Sequence, residues 1–323
     1  MEMKRETILR VFQTPESRMF KFLANELTTH GYREKDILRG RKNEWMFIRG
    51  EIPVLVVAHV DTVHRELPDT IVWDDRQGIL WSPFGIGGDD RAGCLAILKM
   101  VEEGVRPYLL FTTEEERGCI GAEIARRELP VQETIPLRFM VELDRKGFND
   151  AVFYDYDLTK EPEFERLFTE NGFRTQIGSF TDISVLAPAW NLAAVNLSAG
   201  YYMPHSTSEH VYLADVWRTV HQLIQIFDKA PNRVFVYHEK PKAKWTLDKR
   251  FLDPGYTGPI GIAKDQRTRE LVFESDFEYY YPPSVHFAAK THRYPRRRRR
   301  GEGTHFVLDV EFAEEDRHLV PID

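Results

Sequence analysis

The chain has 323 residues, 42% of them hydrophobic and 29% charged, with a formal net charge of −7. This composition excludes a fibrous, collagen-like or wholly disordered chain, and the length suits one large core with an appendage or two modest domains. The acidic balance makes a poor nonspecific nucleic-acid binder, because phosphate contacts need clustered cations.

The opening MEMKRETILR carries charges but no apolar signal core, and no apolar run reaches the ~18–20 residues of a membrane span. Two cysteines, Cys94 and Cys119, make no disulfide framework and fit a reducing compartment, so a cytoplasmic protein without a membrane partner is expected. Helical spacing is predicted over 16–28, strands over 45–49 and 53–58, and a helix over 91–104 that ends at Gly104. Buried strands are predicted at 108–113 and 137–143, a helix at 161–170, a strand at 192–198 and a strongly amphipathic helix at 211–228. This alternation predicts an α/β fold, a mixed and mostly parallel sheet sandwiched by helices.

After Pro231 the chain turns richer in proline, glycine, aromatic and short strand-like pieces: RVFVYH, ELVFES and THFVLDVEF. A catalytic domain over 1–231 and a small β-rich appendage over 232–323 are expected. Residues 232–323 hold 17 Lys+Arg against 15 Asp+Glu, leaving an acidic 27 against 36 in the first part. The arginine run Arg296 to Arg300 could contact phosphates or an acidic partner, although a solvated loop is its commoner meaning.

Chemistry-bearing residues recur where predicted strands end or helices begin: AHVDTV (58–63), GGDDRAG (87–93), TTEEERGCIGA (112–122), ELDRKG (142–147) and PHSTSEH (204–210). In open α/β sheets ligands bind outside the carboxyl ends of the strands, so these groups converge. In an extended segment His59 and Asp61 share a face, the arrangement of a metal-bound imidazole steadied by a carboxylate. Asp89 and Asp90 enter a helix as a carboxylate pair, which an N-cap or a cation would relieve. Glu114, Glu115 and Glu116 form either a solvated acidic loop or a metal ligand beside a proton acceptor. Asp144 ends an apolar strand with Glu142 as its rival, and His205 and Glu209 stand four apart before a helix. Each has a bland alternative taken singly. Two histidines and several carboxylates at successive strand ends are together what a two-metal hydrolase requires, with Zn²⁺ suited and Mn²⁺ or Co²⁺ possible.

These five segments resemble the ligand motifs of the co-catalytic di-zinc exopeptidases. AHVDTV is most similar to the acetylornithine deacetylase/carboxypeptidase family, and GGDDRAG, EERG and HSTSE to the tetrahedral aminopeptidases. The resemblance implies that His59 and Asp144 hold one zinc, Glu116 and His205 the other, and that Asp89 bridges them. Asp61 would orient His59. Glu115 would take a proton from the metal-bridging water and pass it to the leaving amine. The deacetylase-like and tetrahedral families insert a domain between the Asp144-like and His205-like ligands or between the His59-like and Asp89-like ones. Intervals of 61 and 30 residues leave no room for either here, so the compact leucyl aminopeptidase-like members are the better architectural guide. The resemblance offers Tyr201 or Tyr202 as a group assisting the oxyanion, and Asp182, after Thr181, as a further residue of the site. The expected function is an aminopeptidase or small-peptide peptidase. The alternatives are an N-acyl amino acid deacylase on the same site or a non-catalytic adaptor using the arginine run. The C-terminal region is expected to restrict substrate size through Tyr279 to Tyr281, Pro282 and Pro283.

Overall fold

The computed structural model describes residues 3–241. In chain order these form α1 (Arg5–Gln13), α2 (Glu16–Thr29), β1 (Ile37–Arg39), β2 (Trp45–Ile48), β3 (Ile52–His59), β4 (Val72–Asp74), β5 (Ile79–Trp81) and α3 (Gly88–Glu102). There follow β6 (Pro107–Thr112), α4 (Ile120–Glu128), β7 (Met140–Arg145), β8 (Asp150–Val152), α5 (Pro162–Thr169) and β9 (Arg174–Gln176). The last are α6 (Asp182–Trp190), β10 (Ala194–Ser198), β11 (Tyr201–Tyr202), β12 (His210–Tyr212) and α7 (Leu213–Lys229).

An eight-stranded sheet runs β1-β2-β6-β3-β7-β10-β8-β9. Its centre, β6-β3-β7-β10, is parallel, whereas β1, β2 and β8 join antiparallel, so the expected mixed, mostly parallel sheet is present. The β3 run IPVLVVAH is buried along six of its eight residues, as a central parallel strand covered on both faces must be. Alternate side chains sort to the two faces. Val54, Val56, Ala58, Leu109, Phe111, Val141 and Leu143 pack with α1, α2, α3 and α7. Leu55, Val57, Leu110 and Met140 pack with Ala122 and Ala125 of α4 and Ile183 and Leu186 of α6. At Gly93 a Cβ would stand 2.2 Å from the Leu143 carbonyl, so only glycine lets α3 lie this close to β7.

Strands β11-β12-β5-β4 form a second, small sheet that the sequence pattern did not foretell. Two or three residues per strand are too few for a readable period. Helix α6 was likewise unexpected, because Pro188 argues against a helix there. It is short and almost wholly apolar, and it ends two residues beyond the proline.

The segment after Pro231 begins on the same body. Phe235 is fully buried, its ring 5.1 Å from Phe164 and 5.9 Å from Phe139, and Val236 bridges to Leu192. The pieces ELVFES and THFVLDVEF, Tyr279 to Pro283 and the run Arg296 to Arg300 lie outside the described residues. Because Phe235 fills an aromatic pocket with Phe139 and Phe164, Phe235→Ala should cost about 3–5 kcal/mol in urea unfolding, while exposed Val234→Ala stays within ~0.5 kcal/mol. Equal, small losses for both would show that the segment does not stabilise the body.

Candidate metal centre

The carboxyl ends of β3, β6 and β7 open onto one crevice, and the loops there bring the five segments together. His59 closes β3 and is fully buried. Its Nδ1 lies 3.1 Å from Asp61 Oδ1, and its Nε2 lies 3.3 Å from Asp89 Oδ1 and 3.6 Å from Asp144 Oδ1. On the other side of Asp89, His205 Nε2 stands 3.3 Å from Asp89 Oδ2 and 3.1 Å from Glu116 Oε1. Two groups capable of holding a metal ion result, His59/Asp89/Asp144 and Asp89/Glu116/His205, and they share the Asp89 carboxylate.

His59 and Asp144 are steadied from behind. Asp61 accepts the backbone N–H groups of Glu115 and Glu116 at 3.2 Å, so the carboxylate beside His59 also fixes the acidic turn after β6. Asp144 accepts hydrogen bonds from the Thr181 and Tyr201 hydroxyls, while Asn196 holds its backbone N–H and C=O. Asp90 faces elsewhere: its oxygens accept the N–H of His59 and of Gly93, the bland capping role that its sequence left open. Glu114 pairs with Arg117 near the surface.

Sequence reasoning underrated Glu209. Buried in the crevice wall, it accepts the N–H of Gly87 at 2.8 Å and of Asp89 at 2.9 Å, and meets His64 Nε2 at 2.8 Å. It therefore clamps the turn that presents Asp89. Its spacing from His205 was visible, but not its partners, which lie some 120 residues earlier. The remaining candidates are placed as follows. Tyr201 is buried against Asp144, Tyr202 donates to Asp215 at 2.6 Å, and Asp182 is fully buried and takes the Thr112 hydroxyl. Glu142, the rival of Asp144, is fully buried beside Thr181 and is repelled by the Asp144 and Asp182 carboxylates.

So much buried acid shifts proton affinities. Burial pushes Glu115 up to about 7, with Asp144 and Glu116 adding to the effect. Burial and the Asp89 charge likewise raise Asp144 to about 7. Burial opposes the imidazolium of His59, but Asp144, Asp61 and Asp89 outweigh it and raise this group well above its ordinary range. Bonds to Asp89 and Glu116 raise His205 to about 10.

No protein-family model matches the sequence, and no curated protein sequence matches it. Solved structures do. Aminopeptidase PepT from Bacillus cereus superposes with a TM-score of 0.55 at 13% identity, over 69% of this chain and 97% of that one. A tripeptidase from Staphylococcus aureus gives 0.57 at 14% identity, over 69% and 96%. A leucine aminopeptidase precursor from Bacteroides thetaiotaomicron gives 0.50 at 12% identity, over 72% and 99%. At these identities the likeness is one of fold, and the fold is the α/β architecture of these peptidases.

The shifts set a pH dependence. Glu115 and Asp144 hold protons that the unfolded chain has released, so their contribution to stability falls as pH rises from the ordinary carboxylate range through about 7. His59 and His205 stabilise fully below 6.5 and lose that contribution as pH rises through their elevated folded values. Asp61 and Asp89 are lowered, because hydrogen bonds and nearby imidazoles outweigh burial, and they lose stability only in acid. The Tm of protein kept in chelator should therefore fall between about pH 5 and about pH 8, and saturating zinc should flatten or reverse that slope. A Tm in chelator that rises over this interval would contradict the reading.

Proposed function

We propose that this protein is a zinc-dependent amide hydrolase, an aminopeptidase or small-peptide peptidase, built on a two-metal site. The observation that carries this reading is the Asp89 carboxylate, with one oxygen facing His59 and the other facing His205. The donor chemistry fits a pair of borderline cations. Glu116 Oε1 and Asp89 Oδ2 lie 3.1 and 3.3 Å from His205 Nε2, so imidazole and carboxylate donors face one another across a small space. His59 and Asp144 would hold one ion, Glu116 and His205 the other, and Asp89 both. Imidazole and carboxylate donors without sulfur suit Zn²⁺, with Mn²⁺ or Co²⁺ as alternatives. When bound, such ions act as Lewis acids on the scissile carbonyl and make water a nucleophile near neutral pH.

The chain's own groups supply the rest. Asp61 holds the Nδ1 side of His59 and so fixes the imidazole for ligation through Nε2. Glu115, placed by the same Asp61 through its backbone N–H, is the general base that takes the proton of the attacking water and delivers it to the leaving amine. A carboxyl raised to about 7 exchanges protons readily near neutrality. Tyr201 acts through Asp144 as a positioning residue. Exposed Phe180 and Met203, next to Thr181 and close to His205, offer apolar contacts to a substrate side chain.

An N-acyl amino acid deacylase would use the same groups. The adaptor reading rests on Arg296 to Arg300, which lie outside the described residues. Two buried, unpaired cysteines support a reducing, cytoplasmic setting, and among the described residues no helix is long and apolar enough to cross a membrane.

The test is metal content together with hydrolysis of aminoacyl and N-acyl substrates by the full chain and by Glu115→Gln. We expect close to two zinc per chain in both proteins and a fall of about 10²–10⁴-fold in kcat for the variant. Cleavage of the aminoacyl set selects peptidase, and cleavage of the N-acyl set selects deacylase. Full activity in the variant would remove Glu115 from its role, and metal-free protein hydrolysing neither class would favour the adaptor.

A further inference from the structure

A second group of side chains meets at Glu115. Cys119 Sγ lies 3.4 Å from Glu115 Oε1, and Asp182 completes a set whose ligand atoms all lie within 4.8 Å of one another. Neither Cys119 nor Asp182 belongs to the five-ligand set. Cys119 sits on the turn into α4 and Asp182 is the first residue of α6, so the set is held by two helices packed on one face of the sheet. Both are fully buried. One oxygen of Asp182 takes the Thr112 hydroxyl, and the other, Oδ1, has no hydrogen-bond partner. Glu142, also fully buried, repels Asp182 and Glu115. A buried carboxylate oxygen without a partner is costly, and the Asp182 oxygen belongs to a group that includes a thiol.

We propose that Glu115, Cys119 and Asp182 form a third cation site, selective for a thiophilic divalent ion such as Zn²⁺ or Cd²⁺, whose occupation inhibits the enzyme. With Zn–S near 2.3 Å and Zn–O near 2.1 Å, tetrahedral ligands stand roughly 3.6 Å apart, and the Cys119–Glu115 separation matches that span. A thiolate ligand disfavours hard ions such as Mg²⁺ and Ca²⁺. Binding releases the thiol proton to solvent and forms the S–metal bond, with no change of oxidation state. Glu115 is the partly exposed member and joins the set to the crevice. The inhibitory half rests on Glu115 being the base; the binding half does not.

The experiment titrates Cd²⁺ into the full-length protein loaded with zinc, following bound metal by equilibrium dialysis, thiolate-to-cadmium charge-transfer absorption in the ultraviolet, and hydrolysis. The five-ligand set contains no sulfur, so exchange of Cd²⁺ there gives no such absorption. We expect cadmium binding with thiolate absorption and a parallel loss of hydrolysis. Cys119→Ser should abolish the absorption and Cys94→Ser should leave it. Asp182→Asn, which keeps the thiol, should weaken binding about 10- to 100-fold. Absence of thiolate absorption on titration, or absorption that survives Cys119→Ser, overturns the site. Thiolate absorption with undiminished hydrolysis overturns the inhibition and the role of Glu115 while the site stands. In a protein hydrolysing nothing, the absorption still decides the binding half.

Discussion

Buried negative charge is the constraint around which this molecule is arranged. Asp61, Asp89, Asp90, Glu142, Asp144 and Asp182 lie in or under one crevice, with the two imidazoles of His59 and His205 facing part of them. Like charges at such spacing cannot all stay ionised in a low-dielectric interior without cations, protons or aligned dipoles. The raised proton affinities of Glu115, Asp144 and Asp182 are consequences of burial together with that crowding. Raised proton affinities, the two imidazoles and backbone N–H groups all relieve this crowding, and a bound cation would relieve it further.

Backbone amides do much of the compensation, and in doing so they wire the loops together. Asp61 takes the amides of Glu115 and Glu116, Asp90 those of His59 and Gly93, and Glu209 those of Gly87 and Asp89. Asp61 and Glu209 thus each tie their own loop to another, and Asp90 ties the start of α3 to the end of β3. A side chain that neutralises itself on another segment's N–H groups also fixes the distance between the segments. Electrostatic relief and geometric precision are one set of bonds here.

What could be read from the sequence follows from where the information is local. The buried runs of β3 and β6 and the amphipathic period of α7 are carried by contiguous residues, and they appear where the pattern puts them. The β7 strand begins at Met140, three residues later than the apolar run from Leu137, although Arg138 and Phe139 already exchange backbone hydrogen bonds with Pro53 and Leu55 of β3. That the five chemistry-bearing segments meet was legible because strand ends converge in this class of sheet. The division of labour between Asp89 and Asp90 was open to spacing alone, and the clamp at Glu209 was invisible, since both depend on turns whose partners are distant in sequence. The small sheet escaped for a related reason: its strands are two or three residues long, and the pairing of β12 with β5 that joins its two local hairpins spans more than a hundred positions.

That small sheet accounts for how a short chain completes the crevice. The families that these motifs resemble carry an inserted domain in one of two intervals, between the ligands matching His59 and Asp89 or between those matching Asp144 and His205. In this chain the first interval holds the β4–β5 hairpin, and β12, just after His205, pairs with β5. The loop that carries His205 is therefore hydrogen-bonded to the hairpin that precedes Asp89. Glu209 adds a second tie from the same loop to the turn at Gly87. The segments carrying Asp89 and His205 are here joined by a ladder and a carboxylate. The relative position of His205 and Asp89 is thus set by backbone pairing that lies outside the eight-stranded sheet.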